Sequence, residues 1–180
     1  MTVNYTGNQK PGTIIISTGQ RRLYLVLGNG QALSYGIGVG KEGFAWSGVT
    51  QVSAKREWPD WTPPDQMLQR RPDLPRHMAG GIDNPLGARA MYLGSSLYRI
   101  HGSNEPDSIG RASSSGCIRL TNEDVSDLFS RVDVGTKVVV LPKTAPLLAR
   151  DPAGPPLRPV VRHLPSGRQA MNIQASSRVD

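Results

Sequence analysis

A single cysteine, Cys117, stands in a run of small residues, Ser114-Ser115-Gly116-Cys117, directly ahead of Ile118-Arg119-Leu120. A free thiol is a poor nucleophile at neutral pH until a cationic neighbour, a helix N-terminus or an adjacent base raises its thiolate fraction. Glycine at 116 removes a side chain beside the sulfur, so a carbonyl carbon has room to approach. Backbone N–H groups of Ser115, Gly116 and Cys117 could then hold the oxyanion of a tetrahedral intermediate. Three histidines are available as base: His77, His101 and His163. His77 lies in a proline-rich stretch and His163 in an arginine- and proline-rich tail. His101 closes the run Leu97-Tyr98-Arg99-Ile100-His101 and is followed by Gly102-Ser103, where a side chain can project from a strand end into a cleft. Taken singly, each residue also has a plain structural reading, as a small buried hydrophobe and as a hydrogen-bonded histidine. The residues alone leave both readings open.

The stretch from Ile100 to Val125 resembles the signature of the L,D-transpeptidase catalytic-domain family, in its proteobacterial branch. That signature is His-Gly, then after a loop Ser-His-Gly-Cys, an apolar residue and Arg or Asn. Here it runs His101-Gly102-Ser103, then Ser114-Ser115-Gly116-Cys117-Ile118-Arg119-Leu120, continued by Thr121-Asn122-Glu123-Asp124. GVGKEGFAWSG (Gly38 to Gly48), EWPDWTPP (Glu57 to Pro64) and NPLGARAMYL (Asn84 to Leu93) extend the likeness, which covers about Pro11 to Leu141. The resemblance implies Cys117 as nucleophile, His101 as general base and the Gly102 carbonyl as the group that orients the imidazole. Ser103, Ser114, Ser115, Gly116 and Arg119 are implied to line the oxyanion and substrate site. Arg119 would sit near a substrate carboxylate or in a structural ion pair. Ser115 stands where the family has a histidine that lines the pocket and is not the base.

The implied reaction is two-step acyl transfer on peptidoglycan. Cys117 would form a thioester with the third-position diamino acid of a tetrapeptide stem and release D-Ala. An amine acceptor, on a second stem peptide or on an outer-membrane protein, would then take the acyl group. Carbapenems are implied as inhibitors. No metal or organic cofactor is called for, because nucleophile, base and oxyanion donors are protein groups. Two other readings share parts of this site: a carboxypeptidase or cysteine peptidase in which water resolves the thioester, and a wall-binding protein without turnover.

Short strands must position these residues. Thr13 to Ser17, Arg22 to Leu27, Gln31 to Ile37 and Val49 to Ala54 are apolar or alternating runs, the middle two joined as a hairpin by Gly28-Asn29-Gly30. Trp58 to Pro75 holds five prolines, which forbids a central strand. That stretch is expected to be a surface excursion with a short helix over Asp65 to Arg71 and with Trp58 and Trp61 as anchors. Ala90 to Leu93 and Leu97 to His101 predict a second hairpin. Thr121 to Val132 predicts a capped helix with Val125, Leu128, Phe129 and Val132 on one face, and Lys137 to Leu141 a last strand. The expected fold is mostly β, a sandwich or barrel-like sheet with a few short helices, one of them after the cysteine. The expected divisions are a flexible 1–10, a catalytic domain over 11–142 and a disordered tail over 143–180.

Composition bounds the alternatives. The formal net charge is +7. No zinc-ligand cluster, basic helix or aromatic-interleaved basic stripe accompanies it, so nucleic acid is set aside as a partner. One cysteine allows no internal disulfide. No apolar run approaches the roughly 18 residues of a membrane span. The opening MTVNYTGNQKPGT lacks the pattern of a secretory signal, while wall chemistry takes place outside the cytoplasmic membrane. The expectation is therefore a mature or trimmed form of an exported, periplasmic protein.

Overall fold

The computed structural model describes residues 1–42, 46–114 and 116–145, with the short paired segments 149–150, 162–163 and 169–170. It divides into two units, Met1–Arg150 and Asp151–Asp180. Among the described residues the first contains twelve strands: β1 (Thr2–Tyr5), β2 (Ile14–Ser17), β3 (Arg22–Gly28), β4 (Gln31–Gly36), β5 (Val39–Gly40), β6 (Gly48–Glu57), β7 (Arg89–Leu93), β8 (Arg99–His101), β9 (Ala112–Ser114), β10 (Ile118–Arg119), β11 (Lys137–Leu141) and β12 (Ala149–Arg150). Helix α1 (Asp65–Arg70) lies between β6 and β7, and α2 (Asn122–Arg131) between β10 and β11. In the second unit, β13 (Arg162–His163) pairs antiparallel with β14 (Gln169–Ala170). Most of the tail expected to be disordered lies outside the described residues.

Ten strands form one sheet in the order β10-β8-β7-β6-β11-β2-β3-β4-β1-β12. Two neighbouring pairs are parallel, β8 with β10 and β2 with β11. The expected hairpins are present as β3–β4 and β7–β8. The first residues depart from the expectation of a flexible extension. Val3 and Tyr5 alternate inward along β1, which pairs with β4 on one side and β12 on the other.

Ile14 and Ile16 point into the main core, and Ile15 into a second cluster with Tyr24 and Val26. That alternation explains a strand of consecutive isoleucines covered on both faces. The main core also joins Leu23 and Leu25 to Met91, Leu93, Ile100 and Ile118. Residues so far apart in strand order meet because the sheet curls over itself, and α2 contributes Val125 and Leu128 between its ends.

The placement of α2 matters for the site. Thr121 caps it, accepting the Asp124 N–H at 3.1 Å, and Glu123 and Asp124 favour the positive end of its dipole. At the other end Lys55 of β6 donates to the carbonyls of Phe129 and Val132 at 2.7 and 2.6 Å, with its ammonium 4.0 Å from the Phe129 ring centre. A cation there satisfies carbonyls that the helix leaves unpaired. Lys55→Met keeps the apolar stem and removes the charge. It should lower stability by about 1–3 kcal/mol in urea unfolding, and an unchanged midpoint would show that water serves those carbonyls equally well.

Candidate active site

Side chains alternate along a strand, and the register of β8 with β10 turns that rule into a site. Ile118 lies beside Ile100 and Arg119 beside His101. Both isoleucines enter the core, where each contributes about 1.5–3 kcal/mol by burial. Arg99, His101, Arg119 and Cys117, which enters β10, therefore share the opposite face. Together they line one cleft of about 670 Å³, with Ser103, Ser114 and Glu105. The proline-rich excursion forms another wall through Trp61, Met67, Leu74 and Met78. Trp58 is not the packing anchor expected of it, since 41% of it is exposed. The excursion is held instead by buried Asn84, whose side-chain NH₂ donates to the carbonyls of Pro59, Met78 and Ala79 and whose oxygen accepts the Leu86 N–H.

The loop carrying Cys117 is braced at both ends. Ser114 Oγ accepts the Gly116 N–H at 3.3 Å and donates to the Cys117 carbonyl at 2.7 Å. Gly116 has φ 105°, in the region that favours glycine. Trp46 stacks on Tyr98 with ring centres 4.8 Å apart and donates its indole N–H to the Gly116 carbonyl at 3.4 Å. Gly116 itself lines an adjoining cavity of about 240 Å³ with Trp46, Arg21 and Lys41. Ser115 lies outside the described residues.

The Cys117 thiol is half-buried and donates to the Leu97 carbonyl at 3.9 Å. Burial pushes its pKa up, while the Arg99 backbone and the Arg99 and Arg119 charges pull it back. Of the two influences that lower a thiol pKa, the cationic neighbours are present as Arg99 and Arg119, but burial outweighs them. Strand β10 intervenes between Cys117 and α2, and loss of hydration outweighs the rest.

His101 is 5% exposed. Its Nδ1 lies 2.6 Å from the Gly102 carbonyl. A carbonyl can only accept, so Nδ1 carries the proton and Nε2 keeps its lone pair. Burial drives the imidazole pKa down to about 4; the Gly102 and Pro85 carbonyls oppose the shift, and the Arg99 and Arg119 charges add to it. At neutral pH the site holds a neutral thiol and a neutral imidazole.

Among the described residues Arg119 forms no salt bridge, though Glu105 lies near enough to act on its charge. Its guanidinium donates to the hydroxyls of Ser108 and Ser113, and its buried Nε has no hydrogen-bond partner among the described residues. Ser103 is buried, and its hydroxyl accepts the Glu105 N–H at 2.9 Å. Arg99 and Tyr98 also line the cleft, without a motif in the sequence that marks them. The alternation Arg99-Ile100-His101 puts Arg99 on the face of His101, a signal that was available once the core position of Ile100 was known.

The family model of the L,D-transpeptidase catalytic domain matches residues 11–140. The chain belongs to that family. A protein of Escherichia coli K12 named probable L,D-transpeptidase ErfK/SrfK is 38% identical over 137 residues, 71% of this chain and 43% of that protein. The chain thus spans about half or less of the length of the first curated relatives it matches. The structure of an L,D-transpeptidase from Mycobacterium smegmatis superposes with TM-score 0.58 at 16% identity, covering 72% of this chain and 58% of that one, a likeness of fold. A structure from Brucella melitensis described as a probable carnitine operon oxidoreductase is 48% identical with TM-score 0.53, covering 78% of this chain and 92% of that one.

The depressed imidazole pKa has a stability consequence. The unfolded chain takes up the proton first, so stability from this group is fully present above about pH 6.5 and is lost as pH falls towards about 4, by roughly 3 kcal/mol. His101→Gln should remove that part of the acid slope in urea unfolding measured from pH 7 to 4. An unchanged slope would mean the ring is hydrated and titrates normally.

Proposed function

We propose that this chain catalyses L,D-transpeptidation of peptidoglycan through a Cys117 thioester. The observation that carries the reading is the sharing of one cleft face by Cys117 and His101, with the Gly102 carbonyl holding the imidazole in the tautomer a base requires. Membership of the L,D-transpeptidase catalytic-domain family supports it.

In the first step His101 Nε2 takes the thiol proton as sulfur bonds to the carbonyl carbon of the third-position diamino acid. The Cys117 N–H is the leading oxyanion donor, since the Gly116 N–H already contacts Ser114 Oγ. The tetrahedral intermediate collapses by breaking the C–N bond, and the imidazolium returns its proton to the departing D-Ala amine. In the second step an acceptor amine attacks the thioester, its proton passes to His101, and the C–S bond breaks to regenerate the thiol. A side-chain amine of another stem gives a 3→3 cross-link, an outer-membrane protein gives attachment, and water gives a tripeptide. Arg99 and Arg119 add positive charge beside the thiol and suit a substrate carboxylate. Peptidoglycan is assembled outside the cytoplasmic membrane, so this reading includes export of the protein to the periplasm. Among the described residues no helix is long and apolar enough to cross a membrane.

Cys117→Ala should abolish D-Ala release from a disaccharide-tetrapeptide while leaving the fold intact by circular dichroism. His101→Ala should lose at least roughly 100-fold in kcat/KM. Substantial turnover by the alanine variant of Cys117 would remove the nucleophile, and near-normal rates without His101 would move the base elsewhere.

A further inference from the structure

The group that orients His101 is a peptide carbonyl, and a carbonyl is only as well aimed as the peptide plane that carries it. The Gly102 carbonyl and the Ser103 N–H belong to one planar trans peptide, in which the two point in opposite directions. The carbonyl end accepts His101 Nδ1–H at 2.6 Å, and the N–H end donates to Asn122 Oδ1 at 3.2 Å. The same oxygen accepts the Ala88 N–H at 2.9 Å. Both partners are donors, so the oxygen of the Asn122 amide, and not its nitrogen, occupies this position.

We propose that Asn122 is the positioning residue of the catalytic histidine, acting through the Gly102–Ser103 peptide. The chain of contacts runs from Asn122 Oδ1 through that peptide to Nδ1–H, so that Nε2 is presented to the thiol. Hydrogen bonds in such a chain polarise one another, and the link strengthens the Gly102 carbonyl as an acceptor of the proton that fixes the tautomer. The surroundings are cut to fit this oxygen. A Cβ at Gly102 or at Gly87 would overlap Asn122 Oδ1. Asn122 is itself fixed as the first residue of α2, behind the Thr121 cap, with its own carbonyl accepting Ser126 Oγ–H at 2.7 Å. The Ala88 contact ties in the segment after Pro85, the second carbonyl that influences the ring.

The inference rests on the proposed acyl transfer for its activity readout, so the test carries a second readout that does not. Acylation by a carbapenem and alkylation by iodoacetamide are both followed at Cys117 across pH, for wild type, Asn122→Ala and Asn122→Asp. Asn122→Ala should acylate roughly 10- to 100-fold more slowly, by analogy with the partners that orient metal-ligating histidines, with the concentration for half-maximal rate little changed. Its alkylation should follow the higher-pH profile of an unassisted thiol. Asn122→Asp keeps the acceptor oxygen, and should restore most of the rate while its negative charge moves the acid limb to higher pH. If wild type takes no acyl group but the alkylation profile of Asn122→Ala still differs, the proposed function falls and the positioning role stands. A folded Asn122→Ala with wild-type acylation rate and pH profile would overturn the inference. Should that variant fail to fold, an Asn122→Asp protein whose acid limb does not move would overturn it equally.

Discussion

The parallel register between β8 and β10 is the constraint on which the site depends. Once Ile100 and Ile118 are committed to the core, the two-residue period leaves Arg99, His101, Cys117 and Arg119 no face but the cleft. A slip of one residue would bury the neighbours of Cys117 and expose the isoleucines, so apolar packing enforces the arrangement of these side chains. Long pieces of the remaining fold serve the same end. The sheet curls until α2 fills the core behind these strands, and the excursion over 58–88 is clasped by Asn84 to wall the cleft.

Burial sets the chemistry of the resting site. The thiol is pushed up and the imidazole down by the same loss of water, so neither group is charged at neutral pH. An ion pair formed in advance would have to be desolvated and held between two guanidiniums. In the proposed acyl transfer, a neutral pair with the Nδ1 proton held on Gly102 develops charge only as the sulfur attacks the acyl carbon, beside the arginines that line the cleft. The thiol rests on the Leu97 carbonyl, a residue 73% exposed at the cleft mouth. An arriving acyl donor would compete for that contact.

Much of this was legible in the residues. The β3–β4 hairpin follows from its turn and α2 from its cap and apolar face, while Cys117 and His101, which line one cleft, are singled out by the family resemblance. What escaped were features fixed by distant partners. Residues 2–5 are too short and too polar in their flanks to announce a strand without β4 and β12 beside them. The parallel pairing of β2 with β11 brings together segments from opposite ends of the domain, with no local signature. Asn84 and Asn122 look like turn and helix-start residues, and their reach to remote backbone groups shows only when those loops are assembled. The depth at which the thiol is buried, which raises its pKa, depends on the assembled cleft walls and has no local signature.

Intact-protein mass spectrometry tests whether Cys117 carries an acyl group during the reaction. The reduced protein is quenched in acid at short times after mixing with a disaccharide-tetrapeptide. A thioester intermediate gives a species heavier by the acyl fragment that remains after loss of D-Ala, mapped to Cys117 and matched by free D-Ala in solution. Release of D-Ala with no adduct at any quench time, or an adduct on another residue, would contradict it.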